Sequence, residues 1–186
     1  AGNYARNTIL PIIDKVQGVE LHSIVTEAGI SAVEVQKKYG FQHAYTEAAK
    51  VMEDPEINTV IIATRHDTHA SLVAQALQNK KHVFVEKPLA LSITELQEIE
   101  KYYPAAGTIL MVGYNRRFSP HIEAIRNFFK DRKSPLALNY NINAGMIPGD
   151  HWYQDPEKGG GRIVGECCHF IDVAQFITQE KPVRVY

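Results

Sequence analysis

Apolar, β-branched runs alternate along this chain with segments whose apolar residues recur at helical spacing. Val19 to Val25 reads as a strand, and Ser31 to Tyr39 as a helix with Ser31 as N-cap and Gly40 as its stop. His43-Ala44-Tyr45 is a short strand, followed by a helix from Glu47 to Glu53. The run Thr59 to Thr64 is apolar in its interior, the pattern of a strand buried on both faces of a parallel sheet. Asp67 or Thr68 caps a helix running to about Asn79. A strand from His82 to Glu86, a helix from Ser92 to Tyr102 and a strand from Ile109 to Tyr114 complete the alternation.

Strand and helix in turn, joined by short connections, specify an α/β fold with a doubly wound parallel sheet of the Rossmann type. The residues before the first helix, Gly2-Asn3-Tyr4-Ala5, match only the end of a GxGxxA dinucleotide fingerprint, and no strand precedes them. The sheet is therefore expected to lack its first strand. After Phe118 the rhythm changes: a helix from Pro120 to Lys130, a strand-like Leu136 to Asn143, then a loop rich in Gly and Pro. The loop holds Trp152 and Gly159-Gly160-Gly161. A helix from Glu166 to Ile177 and a strand-like Val183-Arg184-Val185 end the chain. Two domains are expected, 1–118 and 119–186, each incomplete.

A formal net charge of −1 gives no electrostatic reason to expect nucleic acid or an anionic membrane as partner. No stretch approaches the ~20 apolar residues of a membrane span, and no export signal opens the chain, so a cytoplasmic location is the default expectation. Cys167 and Cys168 are adjacent, unsuited to a disulfide framework or a CxxC chelate, and the eight histidines lack metal-binding spacing. No metal is expected.

In doubly wound sheets ligands bind beyond the carboxyl ends of the strands. Polar residues cluster in those segments: Thr26-Glu27, Thr64-Arg65-His66 with His69 just beyond, Glu86-Lys87-Pro88 and Asn115-Arg116-Arg117. A lone Lys-Pro is ordinarily a surface turn. At a strand end, proline stiffens the turn, and partial burial would tune the ammonium to polarise a substrate oxygen or move a proton. His169, with an ordinary pKa of ~6.5, suits exchange of a hydroxyl proton, and Glu166 and Asp172 lie three residues to either side. Asn115 and Arg117 could hold a polyol or carboxylate, and Trp152 could stack on a sugar ring or simply anchor packing.

Taken in order, VIIATRHDTHASLVAQAL, KKHVFVEKPLAL, LMVGYNRRFSP and GGGRIVGECCHFID resemble the glucose–fructose oxidoreductase and inositol dehydrogenase (Gfo/Idh/MocA) family. GNYA, ATRHD and NAGMIPGDHW are similar to a branch fused behind a zinc alcohol-dehydrogenase-like domain. The resemblance implies a Rossmann domain followed by an α/β domain that binds substrate and serves oligomerisation, hence a homo-oligomer in the full-length protein. It implies NAD or NADP, and hydride transfer at a carbinol carbon of a small-molecule substrate such as a sugar or cyclitol.

On this resemblance Lys87 matches the motif lysine and His169 the catalytic histidine, with Glu166 as a third catalytic candidate. The cofactor-side candidates are Gly2, Asn3, Tyr4, Ala5, Thr26, Thr64, Arg65, His66, His69, Glu86 and Lys87. The substrate-side candidates are Asn115, Arg117, Trp152, Arg162 and Asp172. The chain departs from the family at Gly165, where an aspartate is usual; Glu166, one position on, is turned by ~100° on a helix. Thr26 stands where an acid often meets the adenosine ribose, with Glu27 next to it, so NAD and NADP both remain open. The competing reading is a non-catalytic cofactor- or sugar-binding module that kept the fold. For the 186 residues alone, the missing strand predicts weak or no dinucleotide binding; micromolar NADH affinity in a fluorescence titration would contradict this.

Overall fold

The computed structural model describes residues 2–186. A helix opens at Asn3, runs through a π-helical turn at Ala5–Ile9 and ends as α1 (Leu10–Ile13). Strand β1 (Ser23–Val25) pairs in parallel with β2 (His43–Tyr45), placing Ile24 opposite Ala44. Between them lies α2 (Gly29–Tyr39), stopped by Gly40 at φ +75°, the left-handed conformation that glycine adopts without penalty. The helix begins two residues before Ser31, and the Ser31 hydroxyl donates to Thr26 Oγ1 instead of capping.

After the short α3 (Ala49–Met52), a second parallel sheet follows. Its order is β3 (Thr59–Ile62), β4 (His82–Val85) and β5 (Leu110–Val112), with Val60 opposite Val83 and Val85 opposite Val112. The crossovers are α4 (His69–Gln78) and α5 (Ile93–Ala106). At the start of α5, Ser92 Oγ accepts from the Glu95 amide, and the Glu95 carboxylate accepts from the Leu91 amide. Two otherwise orphan donors are satisfied reciprocally. Val73, Leu77, Val60, Ile62, Val83, Val85 and Ile99 form the main core, where α4 packs on β3, β4 and α5.

The α/β class and parallel pairing agree with the sequence pattern, whereas three details do not. β3 is not buried on both faces: Ile61 and, on β5, Met111 are 43% and 44% exposed. Helices α4 and α5 cover the opposite side, so hydrophobicity alone overstated the burial of this face. The strand-like segments 136–143 and 183–185 form no strand among the described residues. Their apolar residues have no partner edge, and Val183 and Val185 are almost fully exposed. Lastly, α7 (Cys168–Thr178) starts later than expected, because residues 163–167 form a π-helical turn.

Helix α6 (Pro120–Phe129) packs against α7, and Arg132 Nη2 donates to Thr178 O at 2.6 Å. The loop between them returns to the strand ends. There Asp67 N donates to Lys158 O, and His66 Nδ1 lies 2.8 Å from Gly159 O. Leu77, 1% exposed, is the largest fully buried side chain. Leu77→Ala is expected to cost about 2–5 kcal/mol, through lost transfer energy and the cavity left behind. Ile30→Ala, at an exposed position, should stay within about 0.5 kcal/mol. Urea unfolding midpoints check both.

Candidate active site

β4 is the central strand of its sheet, and its pairing continues one residue past its end on both sides. Glu86 N donates to Ile62 O at 2.9 Å, and Gly113 N to Val85 O at 2.7 Å. The Glu86-Lys87-Pro88 turn is thus anchored by both neighbouring strands, with the Lys87-Pro88 peptide in cis. His69, 0% exposed at the start of α4, fastens the turn from below. Its Nδ1 lies 2.7 Å from Pro88 O and its Nε2 3.2 Å from Thr64 O. Burial lowers its pKa, so the ring is neutral with one proton, which belongs on the shorter contact to Pro88. His69 thereby fastens the Pro88 turn, while its second nitrogen faces Thr64 O within the core.

The Lys87 ammonium turns toward the second half of the chain. Nζ donates to Gly165 O at 2.8 Å and reaches Tyr153 Oη at 3.5 Å. Burial lowers its pKa, opposed by Cys168, Glu86 and Glu166, while Arg116 adds to the lowering. Glu86, whose pKa burial raises, lies against Gly113; a Cβ there would meet Glu86 Oε1 at 2.9 Å. Glycine at 113 is what leaves room for this carboxylate.

His169, at the start of α7, is 8% exposed, and its buried Nδ1 has no hydrogen-bond partner among the described residues. Burial first, then the charges of Lys87 and Arg116, push its pKa down to about 4, so the ring is neutral at pH 7 and able to take a proton. The Tyr114 ring meets it edge-on at 6.0 Å, and burial raises the Tyr114 phenol to about 12. Lys87 and His169, 82 positions apart in sequence, share one electrostatic environment.

The other candidates divide between open and occupied groups. Asp172, 7% exposed, forms a two-pronged ion pair with Arg117, Nε donating to Oδ2 at 2.6 Å and Nη2 to Oδ1. This pair clamps α7 to the Asn115–Phe118 turn. Arg162 Nη2 donates to Gly145 O at 2.5 Å, and its Nε lies 3.9 Å from Glu166 Oε2. Thr26 is buried, donating to Ala28 O at 2.6 Å and accepting from Ser31, so it shapes the loop into α2. Ala5 is buried in packing. Thr64 Oγ1 is engaged with Thr68 at 2.6 Å, Arg65 lies over the Trp152 ring at 5.9 Å, and Trp152 meets His66 edge-on. Asn115 Nδ2 donates to Tyr4 Oη at 3.3 Å, bringing the start of the chain to the end of β5.

The start of the chain offers a helix N-terminus that a dinucleotide could use. A Cβ on Gly2 would lie 3.8 Å from Ala63 O, so the helix that starts at Asn3 opens beside the end of β3. The first amides of a helix have no partner within it and suit phosphate oxygens. Gly2, Asn3 and Tyr4 would flank the phosphates, and Thr64 to His66 and Glu86 would line the far side. Three residues of the site gave no sequence signal: Tyr114, Tyr153 and Cys168. Each sits beside a sequence candidate (Asn115, Trp152 and His169) that drew the reading instead, and only the return of the 151–165 loop brings Tyr153 to Lys87.

Residues 1–133 match the model of a family described as oxidoreductases with an NAD-binding Rossmann fold, GFO_IDH_MocA. The chain belongs to this family. Among Gfo/Idh/MocA relatives, it is similar to scyllo-inositol 2-dehydrogenase (NAD(+)) of Bacillus subtilis, 34% identical over 89% of this chain and 48% of that protein. It is also similar to myo-inositol 2-dehydrogenase of Thermotoga maritima, 30% identical over 82% of this chain and 46% of that protein. In fold it resembles levoglucosan dehydrogenase in complex with NADH and levoglucosan, with a TM-score of 0.71 and 21% identity over 90% of this chain and 48% of that one. The chain spans about half the length of the curated relatives it matches. The expected cofactor, NAD or NADP, agrees with the family description and with the NAD(+) named for the Bacillus subtilis relative. No helix among the described residues is long and apolar enough to cross a membrane.

His66 shares with His169 a pKa of about 4, lowered chiefly by burial. In the unfolded chain both would titrate near ~6.5. The unfolded state therefore binds more protons below that pH, and folding is penalised as pH falls. Stability should be intact above about pH 6.5 and decline progressively toward pH 4. Thermal melts across this range check it, and His66→Gln should flatten the decline.

Proposed function

We propose that the protein containing this chain is an NAD(P)-dependent dehydrogenase or reductase acting at a carbinol carbon of a sugar, cyclitol or related polyol. The observation that supports the reading is that the Lys87 ammonium, just past β4, lies near enough to the neutral His169 imidazole for its charge to help lower the pKa of that ring. The nicotinamide, when bound, supplies the hydride acceptor or donor. The chain's residues supply the rest. Lys87 orients the substrate hydroxyl and polarises its oxygen. His169 takes the hydroxyl proton in oxidation and returns it in reduction. Supporting the substrate class, relatives are named for inositols, and a protein of similar fold for levoglucosan.

The roles of the remaining candidates follow from their surroundings. Asn115 and Trp152 stand at the rim with polar or aromatic surface to offer a polyol. Arg117 and Asp172 act through each other, fixing the helix that carries His169. Glu166 lies close enough to Lys87 to favour its charged form, and close enough to Arg162 to be held there.

In the full protein, Lys87→Ala is expected to lower turnover by about 10²–10⁴-fold while leaving NADH affinity little changed. A hydride-exchange assay over a panel of sugars and cyclitols, with a parallel NADH fluorescence titration, measures both. Near-normal turnover in the variant would overturn the role given to Lys87. Tight NADH binding by the wild type, with no turnover on the panel, would instead favour a binding module.

A further inference from the structure

Two glycines in the second half of the chain are shaped around one residue, Tyr153, one against its backbone and one against its side chain. At Gly159 a Cβ would overlap the Tyr153 backbone, its α-carbon lying only 2.5 Å away. At Gly165 a Cβ would meet Tyr153 Cζ at 2.9 Å, Oη at 3.0 Å and Gly159 O at 2.9 Å. Side chains at either position would force this tyrosine to move. The ring is also gripped at its edges, by His66 at 5.2 Å and 69° and by Trp152 at 5.4 Å and 73°. So many constraints on a loop tyrosine are more than packing of a half-buried ring requires.

What the constraints achieve is the placement of Oη. A lysine ammonium carries three donors on a flexible four-carbon stem and aims nowhere unless its partners are fixed. Here Gly165 O takes one donor at 2.8 Å and Tyr153 Oη lies at 3.5 Å from the same nitrogen, leaving a third free. The longer contact is at the outer edge of hydrogen bonding. Both acceptors sit on the same loop-and-turn segment, and Gly165 supplies one acceptor while making room for the other.

We propose that Tyr153 is a positioning residue for the reaction, its hydroxyl holding the Lys87 ammonium so that the remaining N–H points at the substrate oxygen. This rests on the dehydrogenase reading above. Tyr153 is a neutral acceptor throughout the working range, since burial and the nearby Glu166 and Cys168 push its phenol up to about 12. The other titratable groups around the ammonium are Glu86 on its own turn, Glu166, Cys168 and His169 near the start of α7, Arg116 after β5, and His66 and His69 before and within α4.

The test uses the full protein and three variants: Tyr153→Phe, Gly165→Ala and the double variant. Tyr153→Phe preserves ring volume and should fold as the wild type, which a thermal melt verifies. It is expected to lower kcat by about 10–100-fold, the worth of a hydrogen bond to a charged group, with NADH affinity unchanged. Removing an acceptor disfavours the charged amine, so the alkaline limb of kcat/KM should move to lower pH. Gly165→Ala should act in the same direction, and the double variant should be no worse than the more severe single one. Independently of turnover, the Lys87 amine followed by NMR of ε-¹³C-lysine should titrate at lower pH in Tyr153→Phe. Unchanged titration together with an unmoved alkaline limb would overturn the proposal. A shifted titration in a protein that turns over no carbinol would uphold the contact while rejecting the dehydrogenase reading, so the two failures are distinct.

Discussion

A cation carried into a partly buried turn must find oxygens, and the acceptors for Lys87 lie more than sixty residues further along the chain. That requirement organises the molecule. The Lys87 bond to Gly165 draws the turn before α7 onto the end of β4. His66, bound to Gly159 O, and Asp67, bound to Lys158 O, draw the preceding loop onto the end of β3. The Arg117–Asp172 pair fixes α7 to the end of β5. Each strand of the larger sheet is thus joined at its carboxyl end to the 151–172 segment by a polar contact.

Much of the fold was legible because parallel strands and their crossovers write distinct periods. Val60, Ile62, Val83 and Val85 alternate as the core requires, and Gly40 and Ser92 marked helix ends by backbone chemistry that depends on no tertiary partner. The failures have a common cause. Ile61 and Met111 are as apolar as their buried neighbours, and only the position of α4 and α5 shows which face is covered. Leu138, Tyr140 and Ile142 have the alternation of a strand, yet a strand needs an edge to pair with, and alternation cannot supply one. Ser31 is a good N-cap residue, but the helix begins at Gly29 and leaves it inside the first turn, its amide already bonded to Ala28 O.

The site was legible only in part, and for a similar reason. Lys87 stood out by its strand-end position and His169 by its acid–base chemistry between two carboxylates, and a family resemblance pointed to both. His69 was a weaker candidate than His66, whose strand-end loop could border the cofactor, and in the fold both its ring nitrogens face carbonyls. Arg117 and Asp172 looked like free polar groups and turn out to neutralise each other. Tyr153 gave no signal, since what defines it is empty space at Gly159 and Gly165. Absence of a side chain has no chemistry to read until the neighbour that fills it is known.

The contacts that complete the site span 78 residues between Lys87 and Gly165 and 93 between His66 and Gly159. Contacts so distant in sequence form only after the intervening loops have closed, and loop closure is entropically costly. During synthesis, the β3–β4–β5 sheet emerges long before Tyr153, Gly165 and His169. Until those residues join it, the lysine has neither of the acceptors that hold it in the fold. The aim of the lysine is thus set by the second half of the sequence rather than by the sheet that carries the Glu86-Lys87-Pro88 turn.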